Sequence, residues 1–179
     1  TTSVEINMPE ICRAQSKIQS SKPSLGNKFY FTGALADINN DLANNPVEEP
    51  SFSVRSQEEY DQMMKDISTM TVDQYKTYWT EKYQKAVDQL NQLTGISDAH
   101  RQLIAMKLKH ELADQLLGYR AIEYAYRQTN KIPKDSVLVN YVKPIATQDY
   151  FNFLPELLSN DPYFIYNGNA AYLLRGLQF

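Results

Sequence analysis

The sequence predicts a mainly α-helical fold: a helical bundle built around one long antiparallel helix hairpin, preceded by a short extended and irregular section. Three observations carry this. Apolar residues recur at intervals of three and four through much of residues 34–179. Helix-start signatures stand where those stripes begin. Residues 1–33 carry no such stripe.

Taken in order, Val4-Glu5-Ile6-Asn7-Met8 alternates weakly until Pro9 stops it. One short helix fits residues 10–19, and Ser20 to Asn27 reads as a loop. Lys28-Phe29-Tyr30-Phe31 is aromatic, ends at Thr32-Gly33 and reads as extended. The helical domain, 34–179, opens with Leu35, Ile38 and Leu42 on one face, and Asn44-Asn45-Pro46 ends that helix. Ser56 with Glu59 forms a capping box before the stripe Tyr60, Met63, Met64, Ile67. Thr71 with Gln74 repeats the signature. Val72, Tyr75, Trp79, Tyr83, Ala86, Leu90 and Leu93 then keep one face apolar as far as Gly95. Ser97 and Asp98 start a second long helix, over about 98–129, whose wide stripe implies several packed neighbours. The tight Gly95-Ile96-Ser97 turn makes the helices 71–94 and 98–129 an antiparallel hairpin. Gly118 lies inside the second, at a cost of about 1 kcal/mol relative to Ala. Ser136 to Val142 is β-branched and lies between a helical turn and an irregular segment. Thr147 or Gln148 starts a further helix, with Pro155 marking a kink or tight start. Asn160-Asp161-Pro162 opens another, and 170–179 is a last apolar piece.

Composition narrows the functions. A net charge of -3 without a basic cluster argues against nucleic acid. No apolar run reaches the roughly 18–20 residues of a membrane span. The single cysteine, Cys12, excludes an intrachain disulfide, a CxxC centre and a cysteine-rich zinc site within this chain. Thr1-Thr2-Ser3 offers no signal peptide, and Phe179 is an apolar end, so the chain is expected to be a piece of a longer protein. Residues 1–33 then read as a remnant of a preceding domain. Thirteen tyrosines are the compositional oddity. They serve either as helix-boundary residues or as a partner surface, for which Tyr75, Tyr78, Trp79, Tyr119 and Tyr126 are the candidates.

No catalytic constellation emerges. His110 and Asp114 have an i, i+4 spacing that could chelate an ion, but only Glu81 or Glu123 could supply a third ligand. A solvated helix face explains the pair as well. His100, in a first turn beside Asp98 and Arg101, reads as a capping or surface residue. Cys12 has no histidine within 80 residues to act as base. Glu48-Glu49 and Glu58-Glu59 fall in a loop and a first turn. Ser20, Ser21 and Ser24 lack a nucleophile-elbow setting, and Gly26 and Gly33 form no phosphate cradle. No catalytic, metal or cofactor site is therefore expected.

The run Phe31-Thr32-Gly33-Ala34-Leu35-Ala36-Asp37-Ile38-Asn39-Asn40-Asp41-Leu42 resembles the F-x-G…N-x-x-L segment of TlpA-like envelope thiol–disulfide oxidoreductases. The helix at 60–67, the two long helices, Asp149-Tyr150-Phe151 and Asn160-Asp161-Pro162-Tyr163 follow in that family's order, so the resemblance covers about residues 28–179. It implies an accessory helical region, in the periplasm or on the envelope, that accompanies a thioredoxin-like domain. That domain and its CxxC are absent from this chain, so no redox role passes to any residue here. On this reading the partners are protein: a neighbouring domain, a substrate protein or a second copy in a homodimer. The alternative is a tyrosine-rich helical protein binding glycan or peptide. An enzyme using His110, Asp114 and a further carboxylate is a third reading.

Overall fold

A computed structural model describes residues 3–6, 29–44 and 47–157. The mainly helical expectation holds. The helix expected at 10–19 and the elements expected beyond residue 158 lie outside the described residues. The chain divides into two compact units, Thr1–Glu49 with Gln92–Ile104, and Pro50–Asn91 with Ala105–Phe179.

In the first unit, strands β1 (Ser3–Ile6) and β2 (Phe29–Thr32) pair antiparallel, with Ser3 opposite Thr32 and Ile6 opposite Phe29. Gly33 turns the chain at a φ of 99°, which suits glycine alone, and helix α1 (Ala36–Asn44) follows. The Asn40 amide then closes the outer edge of β2. Its Oδ1 accepts from the Phe31 N–H at 2.9 Å and its Nδ2 donates to the Phe31 carbonyl at 3.1 Å. One side chain thus does locally what a third strand would do. Of the expected α1 stripe, Ile38 is buried but Leu42 is 48% exposed. The stripe was read one residue too far, because the helix buries only its middle turn.

In the second unit, α2 (Gln57–Ile67) and α3 (Val72–Gln92) begin where the capping signatures stand. Ser56 Oγ accepts from the Glu59 N–H, while the Glu59 carboxylate turns back to the Arg55 N–H instead of that of Ser56. At α3 the exchange is reciprocal: Gln74 N–H donates to Thr71 Oγ1, and Thr71 N–H donates to Gln74 Oε1. Helix α4 (Asp98–Leu117) follows. Tyr75 on α3 lies beside Gln115 on α4, and residues 51–53 touch Trp79 and Tyr83 of α3 and Glu111 of α4. Ascending α3 therefore descends α4, the expected antiparallel order. Burial of Met106, Leu108, His110, Leu112, Ala113 and Leu116 wraps α4 on several sides.

The second long helix does not run to residue 129. It stops at Leu117, turns through Gly118, Tyr119 and Arg120, and resumes as α5 (Ala121–Thr129), which packs on α2. The break sits where a side chain would be crowded: a Cβ on Gly118 would lie 3.2 Å from the Gln115 carbonyl oxygen and 3.3 Å from that of Asp114. A helix end leaves its last carbonyls without intrahelical partners. Here the Gly118 N–H bonds the Gln115 carbonyl at 3.1 Å, and two tyrosines supply further donors. Tyr75 donates its hydroxyl to the Gln115 carbonyl at 3.1 Å, and Tyr150 donates to the Leu116 carbonyl at 2.7 Å. Both rings are at most 3% exposed. Burial pushes the Tyr75 phenol up to about 12 and raises that of Tyr150 as well, so both remain donors.

Tyr150 stands in the 3-10 helix Gln148–Phe153, which runs into the short α6 (Leu154–Leu157). Lys76 pins this corner: its Nζ donates to the Tyr150 carbonyl at 3.1 Å and lies over the rings of Tyr150 and Phe153. Replacing Tyr150 by Phe leaves the Leu116 carbonyl buried without that donor and costs about 1–2 kcal/mol in urea unfolding; Tyr75→Phe costs less, because the Gln115 carbonyl keeps the Gly118 N–H. Equal stability of both variants and the parent would show that these hydroxyls do not hold the helix end.

Candidate functional site

In the first unit, α1 meets the start of α4 through a polar cluster. Ser97 caps α4, with its Oγ accepting from the His100 N–H at 3.2 Å. Asp41 holds the cap from outside: its Oδ2 accepts from the Ser97 N–H at 2.7 Å and from the Ser97 hydroxyl at 2.5 Å. The His100 ring is 1% exposed, with Nε2 3.3 Å from Glu49 Oε1 and Nδ1 3.6 Å from Asp41 Oδ2. Each ring nitrogen faces a carboxylate, with Nε2 the nearer to its partner. Serine, histidine and aspartate are thus adjacent, but not as a nucleophile and its base. The serine proton points at the aspartate, and the imidazole is turned to Glu49. The cluster anchors a helix start. His100 is a core residue here, where the sequence also allowed a surface position.

In the second unit, a cavity of about 620 Å³ opens between the α2–α3 turn, α5 and the segment leading into the 3-10 helix. Its floor and walls are mostly apolar, with Met70, Val72, Ile122, Tyr126, Tyr141 and Tyr150 among them. Asp73 and Lys143 bring opposite charges, and Thr69 and Thr147 bring hydroxyls. Each wall has a local cause. The capping box at Thr71 fixes the α2–α3 turn. Helix α5 ends in a paired turn in which Ile132 N–H donates to the Arg127 carbonyl and Lys131 N–H to the Gln128 carbonyl, with Lys131 in the left-handed region. Arg127 then holds the outgoing loop through the carbonyls of Pro133 and Ser136. Tyr126 and Tyr141 lie ring to ring, with centroids 4.6 Å apart and planes at 34°. The Tyr141 hydroxyl is buried and meets no hydrogen-bond partner.

The five aromatic candidates separate accordingly. Tyr75 and Trp79 are core residues, 1% and 2% exposed, because the stripe that carries them is the face on which α3 packs. The Trp79 indole N–H lies toward the Tyr75 hydroxyl without meeting hydrogen-bond geometry. Tyr78 packs edge-on to Trp79 under Lys82, and Tyr119 packs against Tyr150 and Phe151. Only Tyr126 lines the cavity. Tyr141 and Tyr150 join it, and neither stood out in the sequence: Tyr141 falls in an irregular segment, Tyr150 at a helix start. The β-branched run around them was the available signal. His110 is 2% exposed, whereas Asp114 is exposed, so the two do not form the solvated pair that their spacing allows. Among the described residues no group of three or more His, Cys, Asp or Glu side chains could hold a metal ion. Cys12 lies outside the described residues.

Asp41→Ala removes two charge-assisted hydrogen bonds from the start of α4 and costs about 2–3 kcal/mol in chemical unfolding. A loss below about 0.5 kcal/mol, the level of an ordinary surface substitution, would show that Asp41 does not anchor the helix. No family model, curated protein or solved structure matches the chain.

Proposed function

We propose that this chain is a non-catalytic interaction domain and that the cavity in its second unit is where it grips a polypeptide partner. The observation that carries the reading is the cavity itself: about 620 Å³, largely apolar, with a few polar groups placed around it. In the TlpA-like proteins that the sequence resembles, a helical region of this kind would accompany a redox domain. On that reading the parent supplies thiol–disulfide chemistry in the periplasm, and this region positions a substrate protein or a neighbouring domain. No helix is long and apolar enough to cross a membrane among the described residues.

A glycan is the second occupant that the tyrosines favour. Sugars stack on open aromatic faces, however, and Tyr126 and Tyr141 turn their faces largely on one another. That favours a peptide, whose side chains need apolar depth more than a flat platform.

The test uses Thr69→Trp, an exposed position on the cavity wall, to plug the space, with Lys85→Trp on an exposed face of α3 as control. A displayed random-peptide library yields binders that lose roughly tenfold or more of their affinity for Thr69→Trp and keep it for Lys85→Trp. Binders indifferent to the plug, or a panel of oligosaccharides binding where no peptide does, would defeat the proposal.

A further inference from the structure

We infer that the loop between α5 and the 3-10 helix docks on an anionic lipid bilayer, its aliphatic tip entering the interface and the lysines on its flanks meeting the lipid phosphates. The inference goes beyond the cavity reading and does not depend on it, because the tip residues Val137 and Val139 are no part of the cavity wall.

The loop is built to project. Both of its legs are fixed to the last turn of α5. On one side the Arg127 guanidinium donates to the Ser136 carbonyl at 2.9 Å, and on the other Tyr141 lies ring to ring with Tyr126. Between those anchors stand residues 137–140, which turn at Val139 and Asn140, where Asn140 has a φ of 59°. The four most exposed large apolar side chains among the described residues all fall on this loop: Val137 is 86% exposed, Val139 76%, Val142 90% and Ile145 78%. Water solvates such side chains poorly, and a surface that gathers them in one place marks an interaction.

Composition and charge decide what covers them. Hot spots between proteins favour Trp, Tyr and Arg and under-represent Val, and protein interfaces are depleted of Lys. This loop offers valine with lysine. That pairing suits a bilayer surface, where aliphatic side chains enter among the acyl chains and lysines stay with the headgroups. Lys131 and Lys134 stand on the leg before the tip and Lys143 on the leg after it, all exposed. The one acid among residues 131–147 is Asp135, so this segment is positive in a chain whose net charge is -3. An anionic surface attracts the segment and repels the negative remainder, so the chain approaches loop first.

The test is sedimentation of the whole chain with vesicles of phosphatidylcholine alone and of phosphatidylcholine with about one-third phosphatidylglycerol. The chain sediments with the anionic vesicles and binds the neutral ones roughly tenfold or more weakly; added salt weakens the anionic binding by screening. Val137→Ser with Val139→Ser changes two exposed side chains outside the cavity wall and weakens binding by roughly tenfold or more, with helical circular dichroism as in the parent. Lys131→Gln with Lys134→Gln weakens it on the anionic vesicles. Val139→Trp places an indole at the tip, and its emission shifts to the blue on anionic vesicles, the Trp79 indole being buried already. Absence of sedimentation with anionic vesicles, or sedimentation that the valine pair leaves unchanged, would overturn the proposal. So would an unshifted Val139→Trp emission on vesicles that hold the protein, since charge alone would then explain the adsorption. If the valine pair instead dissociates a dimer of the parent in analytical ultracentrifugation and no vesicle binds, the loop joins two copies and the lipid reading falls. Peptide binders blocked by Thr69→Trp keep their affinity for the valine variant, so the cavity reading stands or falls separately.

Discussion

Two tyrosine hydroxyls on the last turn of α4 are the contact on which the second unit depends. At the break, the Leu116 carbonyl is met by the Tyr150 hydroxyl, and the Gln115 carbonyl by both the Gly118 N–H and the Tyr75 hydroxyl. Tyr75 arrives from the first turns of α3 and Tyr150 from the 3-10 helix. The same pair of bonds therefore ends one helix, fixes the register of its antiparallel neighbour and docks the segment that follows the long loop. Unpaired, the Leu116 carbonyl would cost about 1–3 kcal/mol in this buried setting. The tyrosine supplies a large apolar ring to fill the space and one donor at its tip, a combination that phenylalanine and serine each only half provide.

The break that these hydroxyls stabilise also shapes the candidate site. Because α4 stops at Leu117, α5 can pack on α2 instead of continuing along α3. That brings Ile122 and Tyr126 to the wall opposite the Thr71 turn, and Tyr150 completes the enclosure from the side. The start of α4, in the first unit, is treated by the same logic with different chemistry. There the orphan donors of Ser97 are taken by the Asp41 carboxylate, which suits the positive end of a helix. Carboxylate at the start and phenol at the end are each matched to the polarity of the backbone groups they meet.

Much of this architecture was legible because it is local. The capping boxes at Ser56 and Thr71, the left-handed turn at Gly95, the extended aromatic run at 29–32 and the helical start near Gln148 all follow from residues a few positions apart. The break at Gly118 was not legible as a break. The apolar positions Leu116, Tyr119, Ile122 and Tyr126 keep helical spacing across it, and a lone glycine is compatible with a continuous helix. Part of what ends the helix is tertiary: two hydroxyls from distant segments donate to its last carbonyls. The aromatic residues of the α3 stripe were equally ambiguous, since the spacing that makes a surface also makes a core face. The site was the least legible part. Its walls come from three stretches, and the chain between them has no periodicity to announce that it is ordered and open.

Alkaline titration of the thirteen tyrosines, followed by tyrosinate absorbance and helical circular dichroism together, tests the central claim most directly. A phenol held protonated in the fold, as Tyr75 is up to about 12, contributes stability that is complete below its unfolded value of about 10 and lost as the pH rises through the folded value. The expected result is a late phase of ionisation that coincides with loss of helical signal and is diminished in the Tyr75→Phe, Tyr150→Phe double variant, where Tyr60, Tyr83 and Tyr141 still ionise late. Ionisation of all the tyrosines in one step near the ordinary value, with the helical signal intact, would contradict the account.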